Sequence, residues 1–159
     1  MEAHAYSISA NLRWFAVAYV IALALVAGVI IALSEANIRL PGGLSTGFNI
    51  GMFLILVGLA GQRFAKKNDF GWTRADRHNL AIGYVATSFV MSLAVFGLFL
   101  AFLMALGLSM ADMLTGAPPE EAIVIVGAIA LIAAIAALGY YAVARVLLGA
   151  MAKQTAARA

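Results

Sequence analysis

The chain has 159 residues, of which 65% are apolar and 11% are charged, and its formal net charge is +3. A soluble domain is about 45–50% apolar and about 25% charged, and one of this size has too little interior to bury so much apolar surface. The composition therefore excludes an ordinary soluble domain. Nucleic-acid binding is not expected either, because the basic residues flank apolar runs instead of forming a stripe interleaved with aromatic residues.

Four apolar runs follow one another along the chain, and each has the roughly 17–25 residues that a helix needs to cross a bilayer. They predict transmembrane helices over about 12–34, 47–65, 74–108 and 119–148, joined by loops at 35–46, 66–77 and 109–121. The first run is longer than the apolar part of a signal peptide and lacks a convincing cleavage site, so we expect it to remain as an anchor. The sequence thus predicts a single all-α membrane domain, residues 1–159, whose four helices form two antiparallel hairpins.

Turn and cap residues support these boundaries. The run Pro41-Gly42-Gly43 interrupts the chain between the first two predicted helices. Thr73 with Asp76 three positions later is typical of a capping box, which predicts that the third helix begins directly after Thr73. Pro119 suits the first turn of the fourth helix. A short additional helix, starting at Ser109 and lying at the membrane surface, is also expected.

The basic residues are divided unequally between the two sides of the membrane that this layout defines. Nine of the ten fall on one side, namely Arg13, Arg63, Lys66, Lys67, Arg74, Arg77, Arg145, Lys153 and Arg158. Only Arg39 falls on the other side. Because loops rich in Lys and Arg stay in the cytoplasm, the sequence predicts that both termini and the basic loop 66–77 are cytoplasmic.

Small residues recur every four positions on three of the predicted helices, a spacing that lets helix backbones approach closely in lipid. The rows comprise Ala24, Gly28 and Ala32 on the first helix, Gly47 and Gly51 followed by Gly58 on the second, and Gly97, Ala101 and Ala105 on the third. We expect these rows to pack helices together within one bundle. The alternative is that they form a face on which another membrane protein, or a second copy of the chain, docks.

Polar groups inside the predicted spans are few. No charged residue lies near the centre of a span, which argues against proton pumps, coupled transporters and voltage sensors. Thr87, Ser88 and Ser92 give the third helix a small hydroxyl face, and such hydroxyls commonly bond within a helix bundle. The chain has no cysteine, two histidines and no recognisable hydrolase, nucleotide-binding or metalloprotease motif, so we expect no catalytic, cofactor-binding or metal site.

Five basic residues around the central loop, Arg63, Lys66, Lys67, Arg74 and Arg77, are expected to face the cytoplasm. Each cation near a membrane surface attracts anionic lipid by roughly 1 kcal/mol. We therefore expect these residues to contact anionic lipids or an acidic cytoplasmic partner, although membrane orientation alone is enough to explain them.

The central loop and its flanks also carry a resemblance. The segment Leu59-Ala60-Gly61-Gln62-Arg63-Phe64, followed by Trp72-Thr73-Arg74-Ala75-Asp76-Arg77, resembles an uncharacterised family of small four-helix inner-membrane proteins of bacteria. Members of that family tend to carry proline before the cap threonine, where this chain has Trp72. The resemblance implies a bacterial inner-membrane protein and brings no catalytic residues with it.

Taken with the short loops and the small-residue rows, the scarcity of polar groups favours a non-enzymatic protein that acts by association. We expect an accessory or stabilising subunit of a larger membrane complex. One alternative is a small homo-oligomeric channel or transporter lined by the hydroxyl face of the third helix. A further alternative is an immunity protein that binds a membrane-active toxin, and an enzyme is the least expected.

Overall fold

The computed structural model describes residues 6–38, 44–68, 72–105 and 119–156, and these residues form four α-helices with no strand among them. The helices are α1 (Ile8–Glu35), α2 (Leu44–Lys67), α3 (Arg74–Ala105) and α4 (Pro119–Ala156). Each contains a stretch long and apolar enough to cross a membrane. The prediction of an all-α membrane protein with four spanning helices is thus confirmed. The short helix expected from Ser109 and the break at 41–43 lie outside the described residues.

Helix ends depart from the predicted ones where polar residues continue a helix beyond its apolar run. α1 begins at Ile8 instead of near residue 12, with Ser7 as its cap, because the Ser7 hydroxyl accepts the Ala10 N–H at 3.2 Å. α4 continues to Ala156 instead of ending near 148, and its last turns contain alanines, which favour helix even in water. The apolar runs therefore locate the four helices without fixing the residues at which α1 begins and α4 ends.

The start of α3 has the capping box that its sequence indicates. The Asp76 N–H donates to the Thr73 hydroxyl oxygen at 3.0 Å, and the Asp76 carboxylate accepts the Thr73 N–H at 2.9 Å. The Thr73 hydroxyl also donates to that carboxylate at 2.6 Å. Two backbone donors that the helix itself cannot satisfy are thus bonded.

The end of α1 has a left-handed residue that the sequence analysis did not identify. Asn37 has a φ of 56°, a conformation that asparagine tolerates better than most residues. The chain reversal lets the Ile38 N–H donate to the Leu33 carbonyl at 2.9 Å, which is the longer bond of a Schellman motif. The helix therefore stops at Glu35 by backbone bonding, six residues before Pro41.

Neighbouring helices enclose a bundle in the order α1, α2, α4, α3. α1 packs against α2 and α3, and α4 packs against the same two helices. An aromatic cluster joins all four helices. The ring centroid of Phe15 lies 4.7 Å from that of Tyr84 and 6.3 Å from that of Phe53. The ring centroids of Phe53 and Tyr140 are 4.6 Å apart. Such offset and edge-on ring pairs add to the stabilisation from burial.

Among the residues whose burial is described, the buried core lies in one half of the bundle, which we call the packed half. This half holds the start of α1, the end of α2, the start of α3 and the end of α4. We call the outer end of this half the basic end, because the lysines and arginines of the described helices lie in these segments. Buried residues there include Phe15, Val57, Phe64, Leu80, Tyr84, Ala144 and Leu148. In the other half, which we call the open half, large apolar side chains are exposed, among them Leu25, Leu93, Leu98, Leu131 and Ile132 at 63–72%. In a membrane this exposed surface faces lipid or another protein.

Two glycines allow close helix contacts in the packed half. A Cβ atom built on Gly83 would lie 2.7 Å from both terminal methyl groups of Leu12, and one on Gly61 would lie 2.8 Å from a methyl group of Leu148. Glycine therefore brings α3 against α1 and α2 against α4. Gly83 is not among the small residues selected from the sequence, because one sequence does not show which helical glycines face a neighbour.

Candidate functional site

The predicted small-residue rows lie outside the core. Ala24, Gly28, Ala32, Gly47, Gly97, Ala101 and Ala105 are exposed, and Gly51 and Gly58 are half-buried. A Cβ atom on any of the five glycines in this set would meet no described atom within 4 Å. Within the described chain, close packing thus uses Gly61 and Gly83, and the faces that carry the rows remain open.

An apolar groove runs between α1 and α2 in the open half. Its main cavity has a volume of about 520 Å³ and is lined by Ala22, Val26, Gly47, Phe48, Gly51, Met52, Ile55 and Leu56. A smaller cavity of about 130 Å³ shares Val26 and Phe48 with it and extends the groove along α1 to Ile30. No polar side chain lines either cavity. Such a space offers an ion or a polar solute no compensating hydrogen bond, so it suits lipid chains or apolar side chains.

Gly47 and Gly51 shape the α2 wall of this groove. They lie one helical turn apart on the same side of α2, so the backbone is bare between the larger residues Phe48 and Met52. Met52 and Leu56 at the base of the groove belong to the core and are 9% and 8% exposed. The base of the groove is therefore formed by buried core residues, and its outer side is open. Another helix could approach the backbone of α2 closely at the two glycines.

The hydroxyl face of α3 is largely used inside the bundle. The Ser88 hydroxyl donates to the Val85 carbonyl of its own helix at 2.9 Å, and the Ser92 and Tyr19 hydroxyls lie 3.2 Å apart, joining α3 to α1. Thr87 is half-buried. Two of these three hydroxyls thus have partners within the chain, as expected for residues that hold helices together.

A fully buried polar pair lies deeper in the packed half, and the sequence analysis did not select it. The Asn11 side-chain amide donates to the Tyr84 hydroxyl at 2.6 Å, and both residues are 0% exposed. The amide oxygen of Asn11 has no partner among the described residues. The signal in the sequence is that Asn11, Phe15 and Tyr19 share one face of α1 at four-residue spacing, which places the asparagine on the core side.

The five predicted basic residues have different surroundings. The Arg63 guanidinium lies 5.2 Å from the Trp14 ring and donates to the Tyr6 hydroxyl at 3.2 Å, while the Lys67 ammonium lies 4.9 Å from the Tyr6 ring. These two cations hold the segment before α1 by cation–π contacts. The remaining three differ in exposure: Lys66 and Arg74 are exposed, whereas Arg77 is half-buried.

Asn68 fixes the same N-terminal segment to the end of α2. Its side-chain oxygen accepts the Tyr6 N–H at 3.0 Å and its side-chain nitrogen donates to the Tyr6 carbonyl at 3.1 Å. This paired bond mimics the pairing between two strands. The approach to α1 and the exit from α2 are therefore held together at the basic end.

A second polar cluster at the basic end joins α3 to α4. The Tyr141 hydroxyl lies 2.8 Å from Nδ1 of His78 and accepts a hydrogen bond from Arg145 at 3.3 Å. The rings of His78 and Tyr141 meet edge to face with centroids 5.9 Å apart. The sequence alone does not bring these residues together, because the register between two helices cannot be obtained from hydropathy. No group of His, Asp or Glu suited to a metal ion occurs among the described residues.

The fold and these surfaces define a class, a membrane protein with four candidate spanning helices, one packed half and one open half. Comparisons with protein-family models, with curated proteins and with solved structures find no match to this chain. The resemblance carried by the central loop stays a prediction.

Proposed function

We propose that this chain is a non-enzymatic, multi-pass protein of the bacterial inner membrane that serves as an accessory or stabilising subunit of a larger complex. Its basic end lies in the cytoplasm, and its open half holds a spanning helix of another membrane protein. The groove between α1 and α2 is the docking site. The observation that carries the proposal is the open glycine face of Gly47 and Gly51 inside this apolar groove.

The choice of a helix as the occupant follows from the physics of association in lipid. Apolar surface alone gives no preference for protein over lipid there, since lipid chains are as apolar as leucine. Close backbone contact does give a preference, because it increases dispersion contacts and lets weak Cα–H bonds form. Glycines pointing into an open groove supply that contact, whereas the exposed leucines of α3 and α4 do not.

The proposed orientation rests on charge. Eight basic residues of the described chain belong to helix segments at the basic end, and lysine and arginine near a span are retained in the cytoplasm. The bacterial assignment rests on the resemblance of the central loop. A channel lined by α3 has less support, because the hydroxyl groups of Ser88 and Ser92 already have partners within the chain.

The test compares two matched glycine-to-leucine variants. Gly51→Leu fills the groove, while Gly139→Leu makes the same change on the exposed surface of α4; neither position has a described atom within 4 Å of the new Cβ. Each tagged protein is expressed in a bacterium carrying the natural gene, extracted in mild detergent and examined by quantitative mass spectrometry.

We expect a membrane protein in stoichiometric amount with the wild type and with Gly139→Leu, and at least tenfold less of it with Gly51→Leu. Recovery of the wild type alone would refute the proposal, as would equal recovery of the partner with both variants. If the chain lost with Gly51→Leu is the untagged natural copy of this protein, self-association replaces the accessory role.

A further inference from the structure

The cluster of His78, Tyr141 and Arg145 presents hydrogen-bond donors outward from the basic end. Arg145 uses one N–H on the Tyr141 hydroxyl, which leaves four of the five donors of its guanidinium. When the Tyr141 hydroxyl donates to Nδ1 of His78, the imidazole proton is on Nε2, the nitrogen further from tyrosine. His78 and Arg145 are both exposed. Tyr141 therefore holds two donors from different helices in fixed positions.

Arg77, the residue before His78 on α3, adds one further cation on this side of the bundle. Arg77 extends from α3 to α4, and its Nη1 lies 4.0 Å from the position of a Cβ on Gly149. Gly149 follows Arg145 by one turn of α4, about 6 Å along the axis. No carboxylate of the described residues pairs with Arg145, and the nearby Asp76 bonds to the start of α3 in the capping box. The cluster thus has the charge and the donors that an anionic oxygen group needs.

Apolar side chains continue from the cluster toward the membrane interior. Ile82 lies one turn after His78 on α3 and is 47% exposed, and Leu138 lies one turn before Tyr141 on α4 and is 69% exposed. A ligand with an anionic head and an apolar tail would place its head on the cluster and its tail along these residues. A free phosphate ion would use the head site alone.

We infer that His78, Tyr141 and Arg145 form a binding site for the phosphate group of an anionic phospholipid, with Arg77 adding to the local positive charge. The guanidinium of Arg145 binds the phosphate oxygens, His78 donates from Nε2, and Tyr141 orients both. The acyl chains lie against Ile82 and Leu138. This site is separate from the groove between α1 and α2 and does not depend on the partner proposed for it.

The test measures lipid binding to the purified, delipidated full chain by native mass spectrometry. Phosphatidylglycerol is titrated in detergent micelles, with phosphatidylcholine in a parallel titration and inorganic phosphate as a competitor. Variants Arg145→Gln and Tyr141→Phe alter the cluster. Lys153→Gln is the matched control, because it removes an exposed cation of the same helix outside the cluster.

We expect one phosphatidylglycerol to bind more tightly than the others and more tightly than phosphatidylcholine. Arg145→Gln should weaken the first binding step about fivefold, as expected for the loss of one near-surface cation, and Tyr141→Phe should weaken it as well. Lys153→Gln should leave it within twofold, and millimolar phosphate should not displace the lipid.

Two results would overturn the inference. One is that Arg145→Gln leaves the affinity for the first phosphatidylglycerol unchanged, or lowers it no more than Lys153→Gln does. Thermal unfolding of each variant is measured alongside to show that the variants fold. The other is displacement of the lipid by inorganic phosphate, which would make a soluble phosphate compound the ligand.

Discussion

Replacing Gly83 by alanine tests the close contact between α1 and α3. The added Cβ would lie 2.7 Å from both methyl groups of Leu12 and 3.3 Å from its Cγ, so the end of that side chain has to move. Overpacking of this kind costs about 1–3 kcal/mol. Alanine also favours the helix over glycine by about 0.5–1 kcal/mol. The two effects together give a change from near zero to a loss of about 2.5 kcal/mol in the free energy of unfolding.

Gly58→Ala separates the two effects. Gly58 lies inside α2, and a Cβ there would meet no described atom within 4 Å, so only the helix preference acts. We expect Gly58→Ala to be as stable as the wild type or more stable by up to about 1 kcal/mol. The difference between the two variants then isolates the overpacking cost, about 1–3 kcal/mol.

The assay is reversible unfolding in mixed detergent micelles, followed by circular dichroism as the denaturing detergent is increased. A third variant, Leu12→Ala, removes the methyl groups that the new Cβ would meet. In the double variant the two changes should not add: Gly83→Ala should cost about 1 kcal/mol less when Leu12 is absent. Equal stability of Gly83→Ala and Gly58→Ala, or strict additivity in the double variant, would refute the contact.

Two other changes test bonds in the packed half and at the start of α3. Tyr84→Phe leaves the buried Asn11 amide without its 2.6 Å bond, and we expect it to lower the free energy of unfolding by about 1–3 kcal/mol. Changing Asn11 to leucine in the same chain should recover part of this loss. A Tyr84→Phe variant as stable as the wild type would contradict the bond. Thr73→Ala removes the cap that accepts the Asp76 N–H and should cost about 1 kcal/mol in the same unfolding measurement. Thr73→Ser should retain stability, and equal losses in both variants would show that the hydroxyl is not the cause.

The features that the sequence predicts well are those decided by neighbouring residues. Spanning helices follow from apolar runs, and the capping box follows from Thr73 and Asp76, which act within one turn. Packing is different, because in lipid every face of a helix is apolar and the periodicity that marks a core in water is weak. Phe15, which is fully buried, and Leu25, which is 66% exposed, look alike in the sequence.

The site residues illustrate the same limit. Gly83 and Gly51 are both helical glycines, yet one contacts Leu12 and the other opens into a groove. His78, Tyr141 and Arg145 come together only when α3 and α4 have their register. The sequence shows which residue types are present on each helix, and the relative positions of the helices decide which of them share a site.

The division of the bundle into a packed and an open half has a consequence for assembly order. Residues from all four helices close the core at the basic end, so its buried side chains are covered by the chain itself, and we expect the chain to fold without a partner. Under the proposed function, the chain would then accumulate ahead of its complex without being degraded as misfolded. The amount of the proposed complex would be governed by the concentration of the partner and by mass action at the groove.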